Sequence, residues 1–91
     1  MPTKAPARHG MKAYVLIETA PGKTKNVKKE LSQITGSGST LAHLDAVTGP
    51  YDFIAQVEGP TLDAIGHLVT DEIGSIDGVT RTTTCLAVAL S

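Results

Sequence analysis

Apolar residues first gather after Lys12, where Ala-Tyr-Val-Leu-Ile-Glu-Thr runs to Thr19 and is stopped by Ala20, Pro21 and Gly22. Aromatic and β-branched residues bounded by turn formers predict a first strand. From residue 22 to 35 the apolar positions Val27, Leu31 and Ile34 recur at helical spacing, and Lys23, Lys25, Lys28 and Lys29 take the other faces. That pattern predicts an amphipathic surface helix with a solvated lysine face. Residues 36–40, Gly-Ser-Gly-Ser-Thr, read as a flexible connector. Residues 41–48 and 51–58 are two strand-like runs separated only by Gly49 and Pro50, so short a link that it implies an antiparallel hairpin. After Gly59 and Pro60, Thr61 is placed to cap a second helix with Asp63 in its first turn. Its buried stripe is expected at Leu62, Ile65, Val69 and Ile73, with Leu68 flanking and an end near Gly74. Asp77 and Gly78 then turn the chain into a last strand over residues 79–90, rich in Thr and Val.

The order β-α-β-β-α-β predicts an α+β, ferredoxin-like fold: a four-stranded antiparallel sheet with two helices on one face. Its other face would show clean alternation if it met water. Residues 14–17 and 86–90 are instead unbroken apolar runs, so both faces of those strands are expected to be covered. The simplest cover is a second copy, which predicts at least a dimer, of the dimeric α+β barrel kind.

Ninety-one residues make one such domain and no second. Residues 1–11 read as a loose tail, with Arg8 and His9 as solvated charges and Met11 a candidate natural start; residues 12–91 form the domain. Tyr14, Tyr51 and Phe53 are the only aromatics, so the core must be aliphatic, and one cysteine leaves no disulfide to reinforce it. Cys85, inside an apolar run, is expected to be a buried small hydrophobe. With no disulfide pair, no signal-peptide stretch and no membrane-spanning apolar run, the chain reads as cytoplasmic. A net charge of −1 argues against nucleic-acid binding of its own.

Catalytic patterns are mostly missing. His9, His43 and His67 lack the spacing of a metal site, no glycine pattern follows a strand into a helix to cradle phosphate, and no serine sits in a nucleophile elbow. No metal or cofactor is implied. Catalytic use of His43 or Asp45 stays open, although exposed or interface roles are commoner for such strand residues. The segment Thr48-Gly49-Pro50-Tyr51-Asp52 is the most informative. Backbone N–H groups at a hairpin tip can receive a carboxylate and Asp52 an ammonium group, with Tyr51 as a wall, which matches both ends of an amino acid. In the plainer and commoner alternative, Gly49 and Pro50 only make the turn, Asp52 bonds local backbone and Tyr51 packs at an interface.

Val-Thr-Gly-Pro-Tyr-Asp-Phe-Ile at 47–54, followed by Asp-Gly-Val-Thr-Arg-Thr-Thr-Thr at 77–84, resembles the effector-binding (RAM) domain of the Lrp/AsnC feast/famine transcription regulators. The opening Lys-Ala-Tyr-Val-Leu-Ile-Glu-Thr with Pro21-Gly22-Lys23 is similar to stand-alone members without a DNA-binding part. The resemblance covers residues 12–90. It implies dimers joined through their sheets and assembled into tetramers, octamers or decamers, with amino-acid effectors between neighbouring dimers. It maps effector contacts onto Gly49, Pro50, Tyr51 and Asp52 in the hairpin, Thr82 and Thr84 in the last strand, and Gly66 and Thr70 on the second helix. The last two are uncharged, which suggests a small or apolar effector. The connector at 36–40 departs from the family's shorter junction. The eleven residues ahead of the first strand are too few for a helix-turn-helix domain, so any effect on transcription is expected to run through co-assembly with a full-length regulator. A small cofactor-free enzyme of the dimeric α+β barrel class is the alternative, and a purely structural partner with an empty cleft is a third.

Overall fold

The unbroken apolar run in the first strand separates into two faces once its neighbours are in place. The structure is a computed structural model describing residues 10–36 and 38–90, so the expected tail falls outside it up to His9, as does Ser37 of the connector. Strand β1 (Met11–Thr19) is central and antiparallel to both β3 (Phe53–Gly59) and β4 (Val79–Leu86); β2 (Thr40–Ala46) pairs β3, giving the order β2-β3-β1-β4. This is the expected ferredoxin-like arrangement. Because side chains alternate along a strand, Ala13, Val15 and Ile17 of β1 and Phe53, Ala55 and Val57 of β3 share one face. There they are sealed by Val27 and Leu31 of helix α1 (Thr24–Ser32) and by Ile65, Leu68, Val69 and Ile73 of the second helix. Each large member contributes roughly 1.5–3 kcal/mol by leaving water.

The second helix starts as expected. The Thr61 hydroxyl accepts from the Ala64 N–H at 3.1 Å, capping α2 (Leu62–His67) with Asp63 in its first turn. The helix then widens without interruption into a π-helical segment, Leu68–Ile73, closed by a 2.7 Å bond from the Gly74 N–H to the Val69 carbonyl. Leu68 and Val69 lie three and four residues beyond the buried Ile65 and are buried with it, as α-helical spacing requires; the wider turn shifts the residues that follow them. Leu62, expected in the buried stripe, is 52% exposed instead.

Three further boundaries differ from the sequence pattern. The link between β2 and β3 spans residues 47–52 and not two residues; at its end Asp52 is held from both sides, its N–H donating to the Ile17 carbonyl of β1 at 2.8 Å and its carbonyl accepting from Val47 at 2.9 Å. Helix α1 is shorter than expected at both ends, and Lys23 at its N-cap offers no capping side chain. Strand β4 stops at Leu86, with one further bond from the Ala87 N–H to the Lys12 carbonyl, leaving Val88 at 71% and Leu90 at 92% exposure. On the sheet face away from the helices Tyr14 is exposed, Leu16 and Ile54 are half-buried, and the Lys12 ammonium lies 5.8 Å from the Tyr14 ring centroid. Cys85, opposite Tyr14 in the ladder, is exposed there; the expectation that it is buried fails because no second layer covers that face among the described residues.

Candidate functional site

Between the second helix and β4 lies an open cleft of about 520 Å³. Ile65 and Val69, anchored in the core, form its apolar base with the exposed Leu62 beside them. Gly66 and Thr70 are four residues apart on the helix, and Thr84 faces them from β4. Thr84 points to the helix side of the sheet because it pairs with Val15, whose side chain is in the core; Thr82, pairing with Ile17, is on the same side but does not line the cleft. At Gly66 a β-carbon would have no neighbour within 4 Å, so the missing side chain is part of the cleft's open space. The π-helical segment supplies Val69, Thr70 and Asp71 to the wall, and widened turns of this kind are often found at functional sites.

Asp63, His67 and Asp71 also line this cleft, and the sequence pattern alone did not single them out. Their signal was present: each is four residues from the next and one position beyond Leu62, Gly66 and Thr70, so they form the adjacent ridge of the same helix. His67 Nδ1 and Asp71 Oδ2 are 3.0 Å apart. The hydrogen bond to Asp71, and then the charge of the same carboxylate, hold the imidazole above its ordinary pKa of 6.5. A raised pKa means the pair stabilises the fold fully below pH 6.5 and loses that contribution as pH rises through the higher folded value. Thermal melts over roughly pH 6 to 8 are therefore expected to show a downward slope that is reduced in His67→Gln; an unchanged slope would assign it to another group.

The hairpin residues form a separate group. Gly49 and Pro50 are exposed at the tip, with Gly49 at φ 112°, and Tyr51 and Asp52 are half-buried. None of the four lines the cleft of their own chain. Asp52 Oδ2 accepts the Thr19 backbone N–H at 2.8 Å and so ties the loop to the end of β1, where the β1–β4 register shifts. The plainer alternative, in which Asp52 bonds local backbone, is corrected by that contact, which reaches a strand distant in sequence. Asp52→Ala is expected to lower unfolding free energy by about 1–2 kcal/mol, read from urea denaturation, while the domain still folds. His43 Nε2 and Asp45 Oδ2 lie 3.4 Å apart on β2, both well exposed. Among the described residues no group of three or more His, Cys, Asp and Glu is placed to hold a metal. No helix among them is long and apolar enough to cross a membrane.

The crystal structure of TTHA0845 from Thermus thermophilus superposes with a TM-score of 0.77 at 30% identity, over 89% of this chain and 96% of that one. FFRP-DM1 follows at 0.73 and 28%, covering 86% and 99%. The transcriptional regulator NMB0573 from Neisseria meningitidis, solved as a complex with L-Met, shares the fold at 0.74 and 17% identity; 98% of this chain spans 58% of that protein. No curated protein sequence matches significantly. The family described as Lrp/AsnC ligand binding domain matches residues 12–89, a span that holds the cleft and the Gly-Pro-Tyr-Asp loop together with β2, β3, β4 and all but the first residue of β1. This chain belongs to that regulatory, effector-binding family.

Proposed function

We propose that this chain is a cytoplasmic amino-acid sensor without catalytic activity, which acts on transcription by assembling with copies of itself and with a full-length Lrp/AsnC regulator. The observation that carries the reading is the cleft between the second helix and β4, where Gly66, Thr70 and Thr84 converge in a ligand-binding domain. The same family fold in NMB0573 is seen with L-Met, an amino acid. The half-buried and exposed apolar residues Tyr14, Leu16 and Ile54 suit a dimer joined sheet to sheet. Further association to tetramers, octamers or decamers brings the loop of one copy, with Gly49, Pro50, Tyr51 and Asp52, to the cleft of another. Thr82 lies beside Thr84 at that junction. An effector then shifts assembly by its differential affinity for the joined and separate states.

Light-scattering mass measured with and without each of the twenty amino acids, alongside melting of the same mixtures, tests this. Four or more chains with a rise in melting temperature for a few amino acids is the expected result, since a ligand bound to the native assembly stabilises it. A dimer indifferent to all twenty would defeat the sensor reading in favour of a structural partner or a small enzyme of the same fold.

A further inference from the structure

Every amino acid brings the same α-ammonium and α-carboxylate, so discrimination rests on what the cleft offers the side chain. Gly66 and Thr70 alone suggest a small or apolar one. The adjacent ridge changes the electrostatics. Asp63 and Asp71 both line the cleft, no lysine or arginine does, and the one cationic candidate, His67, is engaged by Asp71 at 3.0 Å. Asp63, exposed in the first helical turn, makes no salt bridge or side-chain hydrogen bond among the described residues, so its carboxylate is open to an entering ligand. One helical turn from Gly66, and adjacent to Asp63, Leu62 is 52% exposed although it is a large aliphatic residue. An apolar surface next to a free carboxylate is complementary to a methylene stem ending in a cation, which rests its carbons on apolar surface and keeps its charge at the wet rim.

We propose that Leu62 and Asp63 are specificity residues of this cleft, selecting an amino acid with a long, positively charged side chain and rejecting one with a side-chain carboxylate. The proposal rests on the sensor reading above and names the class of effector. The open space over Gly66 lies beside these residues, and with Asp71 engaged by His67 it is Asp63 that sets the charge preference of the ridge. This replaces the small or apolar effector suggested by Gly66 and Thr70.

Isothermal titration of lysine, leucine and glutamate into the full chain, and into Asp63→Asn, tests it. Lysine is expected to bind at least about threefold tighter than leucine, the size of an exposed ion pair, with glutamate weakest. In Asp63→Asn the three affinities are expected to converge, with leucine unchanged, and an unshifted oligomer mass shows that the variant is folded. Leucine binding as tightly as lysine would overturn the assignment and leave the sensor reading standing. A lysine preference undiminished in Asp63→Asn would overturn the role of that residue. If no amino acid binds the unaltered chain, the sensor reading itself fails, an outcome distinguishable from binding without charge selection.

Discussion

Gly66→Phe is expected to abolish amino-acid binding, with at least a roughly tenfold loss of affinity by titration, while leaving the melting temperature of the unliganded chain unchanged or slightly raised. The two halves of that result have separate causes. A β-carbon at this position points into open space, so the ring has no core to disrupt and fills the cleft directly. Glycine is among the weakest helix formers, by about 1 kcal/mol relative to alanine, and replacing it in an exposed helical turn relieves part of that deficit. Retained binding in a folded Gly66→Phe protein would place the effector elsewhere. Gly66→Ala is the milder companion: it keeps the helical gain, and its single methyl leaves most of the cleft open.

Gly78→Ala is expected to have the opposite profile, a loss of about 2–4 kcal/mol in unfolding free energy with a fall in melting temperature of roughly 10–25 °C. Gly78 has φ 106°, a conformation that an L side chain adopts only at a cost of about 1–2 kcal/mol. It is also where the turn before β4 presses on α1. An added β-carbon would come within 2.7 Å of the Lys23 β-carbon and 3.0 Å of Val27 Cγ2, and Val27 is wholly buried. The neighbours have little freedom to move, because Lys23 pairs with Asp77 at 2.9 Å and Asn26 Nδ2 donates to the Asp77 carbonyl at 3.1 Å. Gly22→Ala isolates the backbone part, since Gly22 has φ 81° and an added methyl there would meet nothing within 4 Å. Melts of both variants at one protein concentration separate strain from steric conflict. Equal losses would show that the contact with α1 carries no weight.

What the chain's pattern revealed follows from how local its causes are. Strand β1 and the start of α2 are set by short-range signals, a β-branched run before Pro21-Gly22 and a capping threonine after Gly59-Pro60, and both were legible. The length of the β2–β3 loop was not, because Tyr51 and Asp52 look like strand residues; the bonds that tie Asp52 to β1 come from backbone more than thirty residues away in sequence. Three of the nine residues that line the cleft, Gly66, Thr70 and Thr84, are named through resemblance. The cleft's charged ridge was overlooked because Asp63 had a sufficient reason in the first helical turn, His67 was weighed only as a metal ligand, and Asp71 carried no motif. They gain meaning only when β4 places Thr84 opposite them.

The π-helical segment bears on how this protein is compared with its relatives. A turn that holds an extra residue behaves as a one-residue insertion in a helix, and each residue accounts for about 100° of rotation. Against a relative whose second helix is α-helical throughout, an ungapped alignment keeps Gly66, Thr70 and Asp71 in step, because they share the cleft here at α-helical spacing, but it turns the residues that follow the widened turn by about 100°. Substitution patterns transferred between such proteins by column number would then confuse core and surface constraints after that turn, where Ile73 is buried. The end of this helix has to be aligned by shape, with the offset placed at the widened turn.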